Sequence, residues 1–405
     1  MRRHMLTVWV ALVLCALGAC HADEMLCDFD DLEGWAKSGT TAAFELSTEA
    51  HPGNSCIHVT MPGQVRGTIS KEYPPAEWDR YHGVSFWAKG DGSDQWGCVA
   101  LEGYGSNRGH SFCYFFPLKS EDWREYRVPW RDWIPEGTQN NIGAVGSLPP
   151  SGIQSVRIGT RWTITHNNAK IPQHEYWLDG LRLVDDLPPA PPVPSVKPLS
   201  AVIELLRAKE PVHIVCMGDS ITAGTSLRNR DAERYAVVLQ AELRQRLGYD
   251  GIFCESRAVG GAKLMDARAW VQRDFPDPAP DLITTLYGYN DKSGKWSQQQ
   301  FAEALGDYLD RLATVTHGRT ALMPMTTIPG GGPRFTMLDD FAQAVRRVSE
   351  ARGLVCCDLQ LTFKELGREG MLPLMADMAH PNAEGHRVIA GAIAELITAQ
   401  VKAGQ

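Results

Sequence analysis

Apolar and polar side chains follow two different rhythms in this chain, one before residue 187 and another after residue 198. In the first region short runs alternate with a period of two, as in Gly83-Val84-Ser85-Phe86-Trp87-Ala88, Cys98-Val99-Ala100-Leu101 and Tyr176-Trp177-Leu178-Asp179-Gly180-Leu181. Clusters of Gly, Asn, Ser and Pro separate them, a punctuation that predicts an all-β sandwich. Nine of the 12 tryptophans fall here, at 35, 78, 87, 96, 123, 130, 133, 162 and 177. Trp at period two packs well between sheets, so most are expected in the core, leaving a few to stack on sugar rings.

In the second region strand-like apolar runs at 212–217, 251–259, 282–287, 321–326 and 354–359 alternate with amphipathic helical stretches at 232–247, 264–272, 298–315, 341–351 and 383–401. Such alternation predicts a mainly parallel sheet with helices on both faces. Ligands of such sheets sit beyond the carboxyl ends of the strands. Between the regions lies Leu-Pro-Pro-Ala-Pro-Pro-Val-Pro-Ser-Val-Lys-Pro, which holds neither helix nor central strand and favours an extended spacer. The expected organisation is a leader at 1–22, a sandwich at 23–186, a Pro-rich linker at 187–198 and an α/β/α unit at 199–405.

The 405 residues suffice for two cores, and 43% hydrophobic with 22% charged residues fits a globular protein. A net charge of -8 and the lack of any Lys/Arg-rich run argue against a nucleic-acid partner. Arg2 and Arg3 precede a short apolar run at 5–17, the form of an export signal, too short to span a bilayer. Leu17-Gly18-Ala19-Cys20 fits a lipobox that would anchor Cys20 to lipid, and cleavage near Ala22 is the alternative. Either exit implies a secreted, periplasmic or cell-surface protein. Export permits disulfides, with Cys98–Cys113 and Cys27–Cys56 as candidate pairs and Cys216 as a buried thiol.

Candidate chemistry gathers where the sheet argument places it. After the first strand of the second region comes Gly218-Asp219-Ser220-Ile221-Thr222-Ala223-Gly224, which sets a small hydroxyl at a strand-to-helix turn. It lacks the spacing of a phosphate-binding loop and of a Gly-x-Ser-x-Gly elbow. Val259-Gly260-Gly261-Ala262 follows the second strand, allowing close backbone approach. Gly288-Tyr289-Asn290-Asp291 follows the third, and Asp377-Met378-Ala379-His380-Pro381-Asn382 precedes the last helix. A carboxylate three residues before a His reaches its ring within one turn and fixes its tautomer.

These four blocks, in this order, resemble the SGNH, or GDSL-type, hydrolase family across the second region. The resemblance implies Ser220 as nucleophile, His380 as general base and then acid, and Asp377 as the orienting carboxylate. It implies an oxyanion hole from the N–H groups of Ser220 and Gly261 and the Asn290 amide, with no metal or organic cofactor. Ser256 stands where the family often has Asn, so that loop is expected to be braced differently. In the first region, 29–35, 86–92, 123–130 and 177–181 resemble jelly-roll carbohydrate-binding modules, the galactose-binding-like group that includes family 11 modules. Together the two resemblances imply a secreted carbohydrate O-acetyl esterase acting on an acylated glycan. A lipid-ester hydrolase, and a glycan-binding surface protein with an inert hydrolase unit, are the rivals.

Other residues have simpler expected roles. His213 is expected as a core histidine, His386 as packing or capping the last helix, and His317 as favouring a helix end. Asp219 and Asp291 are expected to brace turns. Arg228, Arg230 and Arg234 either shape a substrate entrance or form a solvated helix face. Asp28, Asp30 and Asp179 are a candidate calcium set in the sandwich.

Overall fold

The computed structural model of the protein describes residues 23–403 apart from 39–41, 50–53, 64–66, 75–76, 104–110, 136–149, 160–171, 188–190, 265, 269–270 and 272–277. The leader with its lipobox, Trp162, and parts of the spacer and of the expected 264–272 helix therefore lie outside the described residues.

The described residues of the first region form twelve strands: β1 (Glu24–Cys27), β2 (Trp35–Ser38), β3 (Ala43–Ser47), β4 (Cys56–Met61), β5 (Thr68–Glu72), β6 (Gly83–Gly90), β7 (Trp96–Gly103), β8 (Ser111–Pro117), β9 (Arg124–Pro129), β10 (Ile134–Pro135), β11 (Ile153–Gly159) and β12 (His174–Val184). One antiparallel sheet runs β3-β4-β12-β6-β9 with β1 also on β12, and the other runs β10-β8-β7-β11-β5-β2. Period-two alternation decides what is inside: Ile57, Val59 and Met61 of β4 are buried, whereas His58 and Thr60 between them are partly exposed. Phe86, Leu101, Phe116, Val156, Tyr176 and Leu178 meet them from both sheets in one core. Burial of each such side chain stabilises by about 1.5–3 kcal/mol.

Among the described tryptophans of the sandwich Trp78 and Trp133 are fully buried, and Trp35, Trp96 and Trp130 pack, partly buried, against its cores, as expected for most of them. Trp177 lies outside the core with its ring stacked on His58 at 4.5 Å and capped by Lys89 Nζ at 4.7 Å, so its faces are occupied. No disulfide joins either candidate pair. Cys98 stands opposite Phe115 and Cys113 opposite Ala100, so the two are diagonal neighbours, about 7–8 Å apart and outside ordinary disulfide reach. Cys27 faces Trp35 and Lys71, while the Cys56 thiol donates to the Glu49 carbonyl.

Among the described residues of the second region four parallel strands, β13 (Val212–Gly218), β14 (Ile252–Ser256), β15 (Leu282–Leu286) and β16 (Ala321–Pro324), run in the order β14-β13-β15-β16. Ile214 and Cys216 of β13 point into one core with the helices Leu199–Arg207, Tyr235–Leu247 and Ala383–Ala403. Val215 and Met217 point into another with the helices Gln298–Val315 and Asp339–Ala351. The long helix Gln298–Val315 starts where a capping box directs it, Ser297 and Gln300 bonding each other's backbone N–H. The Cys216 thiol is buried as expected, and desolvation pushes it up to about 11.

The expected strand at 354–359 shrinks to a single bridge between Met325 and Cys357. Asp358 ends it by capping the next helix, Leu359–Glu365, through a bond from the Leu361 N–H, while pairing with Arg346. The expected 232–247 helix is split at Arg234, which is extended, into Arg230–Glu233 and Tyr235–Leu247. The chain passes from β13 to β14 on one side and then to β15 on the other. The sheet's switch point therefore lies at the carboxyl end of β13, next to Ser220.

Candidate active site

The end of β13 is shaped for a sharp turn. A Cβ on Gly218 would fall 2.0 Å from Thr222 Oγ1 and 2.7 Å from the Leu286 carbonyl, so only glycine fits. Asp219 accepts the Ile221 N–H at 2.9 Å as the N-cap of the short helix Ser220–Ala223, and Gly224 closes that helix at φ 70°. Ser220 is the first helical residue, so its N–H has no acceptor within the helix.

Three further loops converge on it. The Val259 N–H donates to the Gly218 carbonyl at 3.1 Å, holding the glycine loop beside the turn. Gly261 in that loop is exposed and left-handed, at φ 79°. Ser256 takes over part of the bracing, its hydroxyl donating to the Thr222 carbonyl at 3.3 Å. Past β15, Asn290 donates from Nδ2 to the Ala262 carbonyl at 2.9 Å and stands 3.4 Å from Asp219 Oδ2. The first bond aims the amide, and the second N–H makes only this long contact.

The fourth loop brings Asp377 and His380. Asp377 Oδ1 accepts the N–H groups of Ala379 and His380 at 2.6 and 2.7 Å, and Oδ2 lies 2.8 Å from His380 Nδ1. His380 Nε2 is 2.9 Å from Ser220 Oγ. With the Nδ1 proton directed at the carboxylate, Nε2 is left to accept the Ser220 proton. Partial burial raises the Asp377 carboxyl, but bonds from the His380 ring and the two N–H groups outweigh it and hold the carboxyl below the usual range. Ser226 ties the loop to the Ser220 turn, its hydroxyl donating to the Pro381 carbonyl at 2.7 Å.

The sequence reading missed several supports of this site. The Tyr289 hydroxyl donates to the Met378 carbonyl at 3.2 Å, and Arg334 in turn donates to that hydroxyl. The Gly331 N–H also binds the Met378 carbonyl, at 3.0 Å. Tyr289 adjoins Asn290 and was detectable from its block, whereas Arg334 sits in a Gly/Pro-rich loop that carries no signal.

Asp219 and Asp291 do brace their turns, the latter accepting the Leu264 N–H at 2.8 Å. Complete burial pushes each up to about 7, with the Asp219 charge adding to the effect at Asp291. His386 is packed as expected: it accepts the Tyr235 N–H at Nδ1, and burial holds it down at about 4, neutral and not a base. His213 is not a core residue. It is partly exposed and paired with Glu255 at 2.9 Å near the start of β13, on the face whose later residues Val215 and Met217 are buried. His317 takes a left-handed conformation at φ 52° just past the helix Gln298–Val315. Arg234 turns to Asp231 and the Arg230 carbonyl, the solvated-helix reading, while Arg230 donates to the Thr225 carbonyl. Asp28 and Asp30 lie in an exposed turn and Asp179 is buried in β12. Among the described residues no group of three or more His, Cys, Asp or Glu side chains is arranged to hold a metal.

Comparison with known proteins follows the same division. The model of the GDSL-like Lipase/Acylhydrolase family matches residues 216–388. No curated protein matches the chain. Similar solved structures include a family 11 carbohydrate-binding module from Clostridium thermocellum in complex with a mixed-linked tetrasaccharide. That likeness is 16% identical, covers 41% of this chain and 96% of that one, and has a TM-score of 0.34. A lipase/acylhydrolase from Enterococcus faecalis is 20% identical over 47% of this chain and 96% of its own, with a TM-score of 0.40. An acetylxylan esterase from Geobacillus stearothermophilus is 20% identical over 46% and 94%, also with a TM-score of 0.40. The family match thus falls wholly within the C-terminal region, over residues 216–388, the stretch that carries Ser220, Asn290, Asp377 and His380.

Proposed function

We propose that the protein is an exported serine esterase that removes acyl groups, acetyl in the first instance, from a glycan. The observation that carries the esterase reading is the Asp377–His380–Ser220 relay, with 2.8 Å at one ring nitrogen and 2.9 Å at the other. In this reading Ser220 Oγ attacks the ester carbonyl while His380 takes its proton. The oxyanion is met by the Ser220 and Gly261 N–H groups and the Asn290 amide. His380 then protonates the departing alcohol, and water, activated by the same ring, releases the acid and regenerates Ser220.

The glycan reading is supported by the partnership of this unit with a sandwich whose sequence blocks resemble carbohydrate-binding modules. Export is supported by the form of residues 1–22. One observation favours a second reading, an ester with a longer apolar chain: Leu372 and Met378, beside and within the His380 loop, are 50% and 48% exposed. Hydrolysis of 4-nitrophenyl esters from acetate to decanoate, run beside acetate release from acetylated polysaccharides, separates the two. A steep fall beyond butyrate with release from a polysaccharide supports the first reading; a maximum at octanoate or beyond supports the second.

A further inference from the structure

The chain carries a net charge of -8, and on the C-terminal unit most cations are spoken for: Arg246, Arg311, Arg346, Arg352 and Lys364 each hold a carboxylate. Arg334 departs from this. Its hydrogen-bond partner is the neutral Tyr289 hydroxyl, and among the described residues it has no carboxylate within ion-pair distance. That hydroxyl belongs to the neighbour of Asn290 and donates to Met378, between Asp377 and His380. The guanidinium is thus pinned between the oxyanion loop and the histidine loop. It is only partly exposed, and one of its five N–H donors is occupied by Tyr289.

Lys263 stands beyond the other end of the same turn. Its Cε is 3.3 Å from where a Cβ on Gly294 would sit, at the close of the helix Tyr289–Ser293, and it follows Ala262, whose carbonyl holds Asn290. Among the described residues its ammonium has no carboxylate within ion-pair distance, its charge acting only from further off on the buried Asp291. The one carboxylate in the neighbouring histidine loop, Asp377, is engaged by His380. A planar fork held rigidly beside a reacting centre, without its own counter-ion, suits a carboxylate from outside the protein.

We propose that Arg334, assisted by Lys263, forms a subsite for a carboxylate borne by the acylated sugar or its neighbour, so that the preferred substrate is an acylated acidic glycan. This rests on the esterase reading above and specifies its substrate class. The test compares acetate release from O-acetylated polygalacturonate and from an O-acetylated neutral mannan of equal acetyl density. The wild type is expected to favour the acidic polymer. Arg334→Gln should lower the acidic-to-neutral ratio of kcat/KM by roughly tenfold or more, mainly through KM, the size of one charge-assisted contact. Arg334→Lys should recover part of the ratio, and Lys263→Gln should lower it less; the latter serves if Arg334→Gln does not fold. Free galacturonate, and not galactose, should compete. A wild type faster on the neutral polymer, or an equal loss on both polymers in Arg334→Gln, overturns the subsite and leaves Arg334 as a brace for Tyr289. No acetate from either polymer or from 4-nitrophenyl acetate removes the esterase reading and the subsite with it.

Discussion

Asn290 shows how much a single side chain is asked to do here. One N–H is spent on the Ala262 carbonyl, and the other has only the 3.4 Å contact with Asp219. Its value should therefore appear when negative charge develops on the substrate oxygen. Asn290→Ala is expected to lower kcat by about 10²–10³, roughly 2.7–4 kcal/mol, with little change in KM. Kinetics measured together with melting temperature check this, since a residue that only braced its loop would lose stability and keep turnover. His380 and Asp377 should differ in the same assay. In the proposed mechanism His380 moves the proton, whereas Asp377, whose side chain is 55% exposed, orients the ring. Asp377→Ala is expected to retain about two orders of magnitude more kcat than His380→Ala; equal losses would make the carboxylate more than an orienter.

The turns that carry these side chains hold two buried acids, and this has a consequence for pH. Asp291 is pushed from 3.8 up to about 7, first by burial and then by Asp219. A folded-state value above the unfolded one means that the native protein binds the extra proton between about pH 4 and 7. Stability from this group is present below about pH 4 and is lost as pH rises through 7. Asp291→Asn keeps an oxygen to accept the Leu264 N–H and removes the titration. Its melting temperature relative to the wild type should therefore climb as pH rises from about 4 to about 7, and a constant difference would place the Asp291 proton elsewhere. These turns were readable in the sequence because each has a strong local cause: a glycine where no Cβ fits, an Asp that caps, an Asn beside it. The helix Gln298–Val315 was readable for the same reason, through its capping box. The stretch at 354–359 misled because its apolar run is indistinguishable from a strand until Asp358 is seen to cap a helix and bind Arg346. Disulfide pairing was not readable at all, because a two-residue offset in register decides it.

Across the molecule, the sandwich core and the two cores of the parallel sheet share no residue. The change of rhythm in the sequence marks that division, since a strand buried on one face and a strand buried on both leave different patterns. The end of the Pro-rich segment is held rather than loose, with the Lys197 N–H on the Gly318 carbonyl and its ammonium on Asp281. What the sequence could not supply was long-range: the Ser226–Pro381, Tyr289–Met378 and Arg334–Tyr289 contacts join loops far apart in the chain. All of them serve to hold His380 within reach of Ser220. The most direct measurement is hydrolysis of 4-nitrophenyl acetate by purified Ser220→Ala beside the wild type, with both melting curves recorded. A loss of kcat on the order of 10⁴–10⁶ at an unchanged melting temperature is the predicted result; wild-type turnover by the folded variant would contradict it.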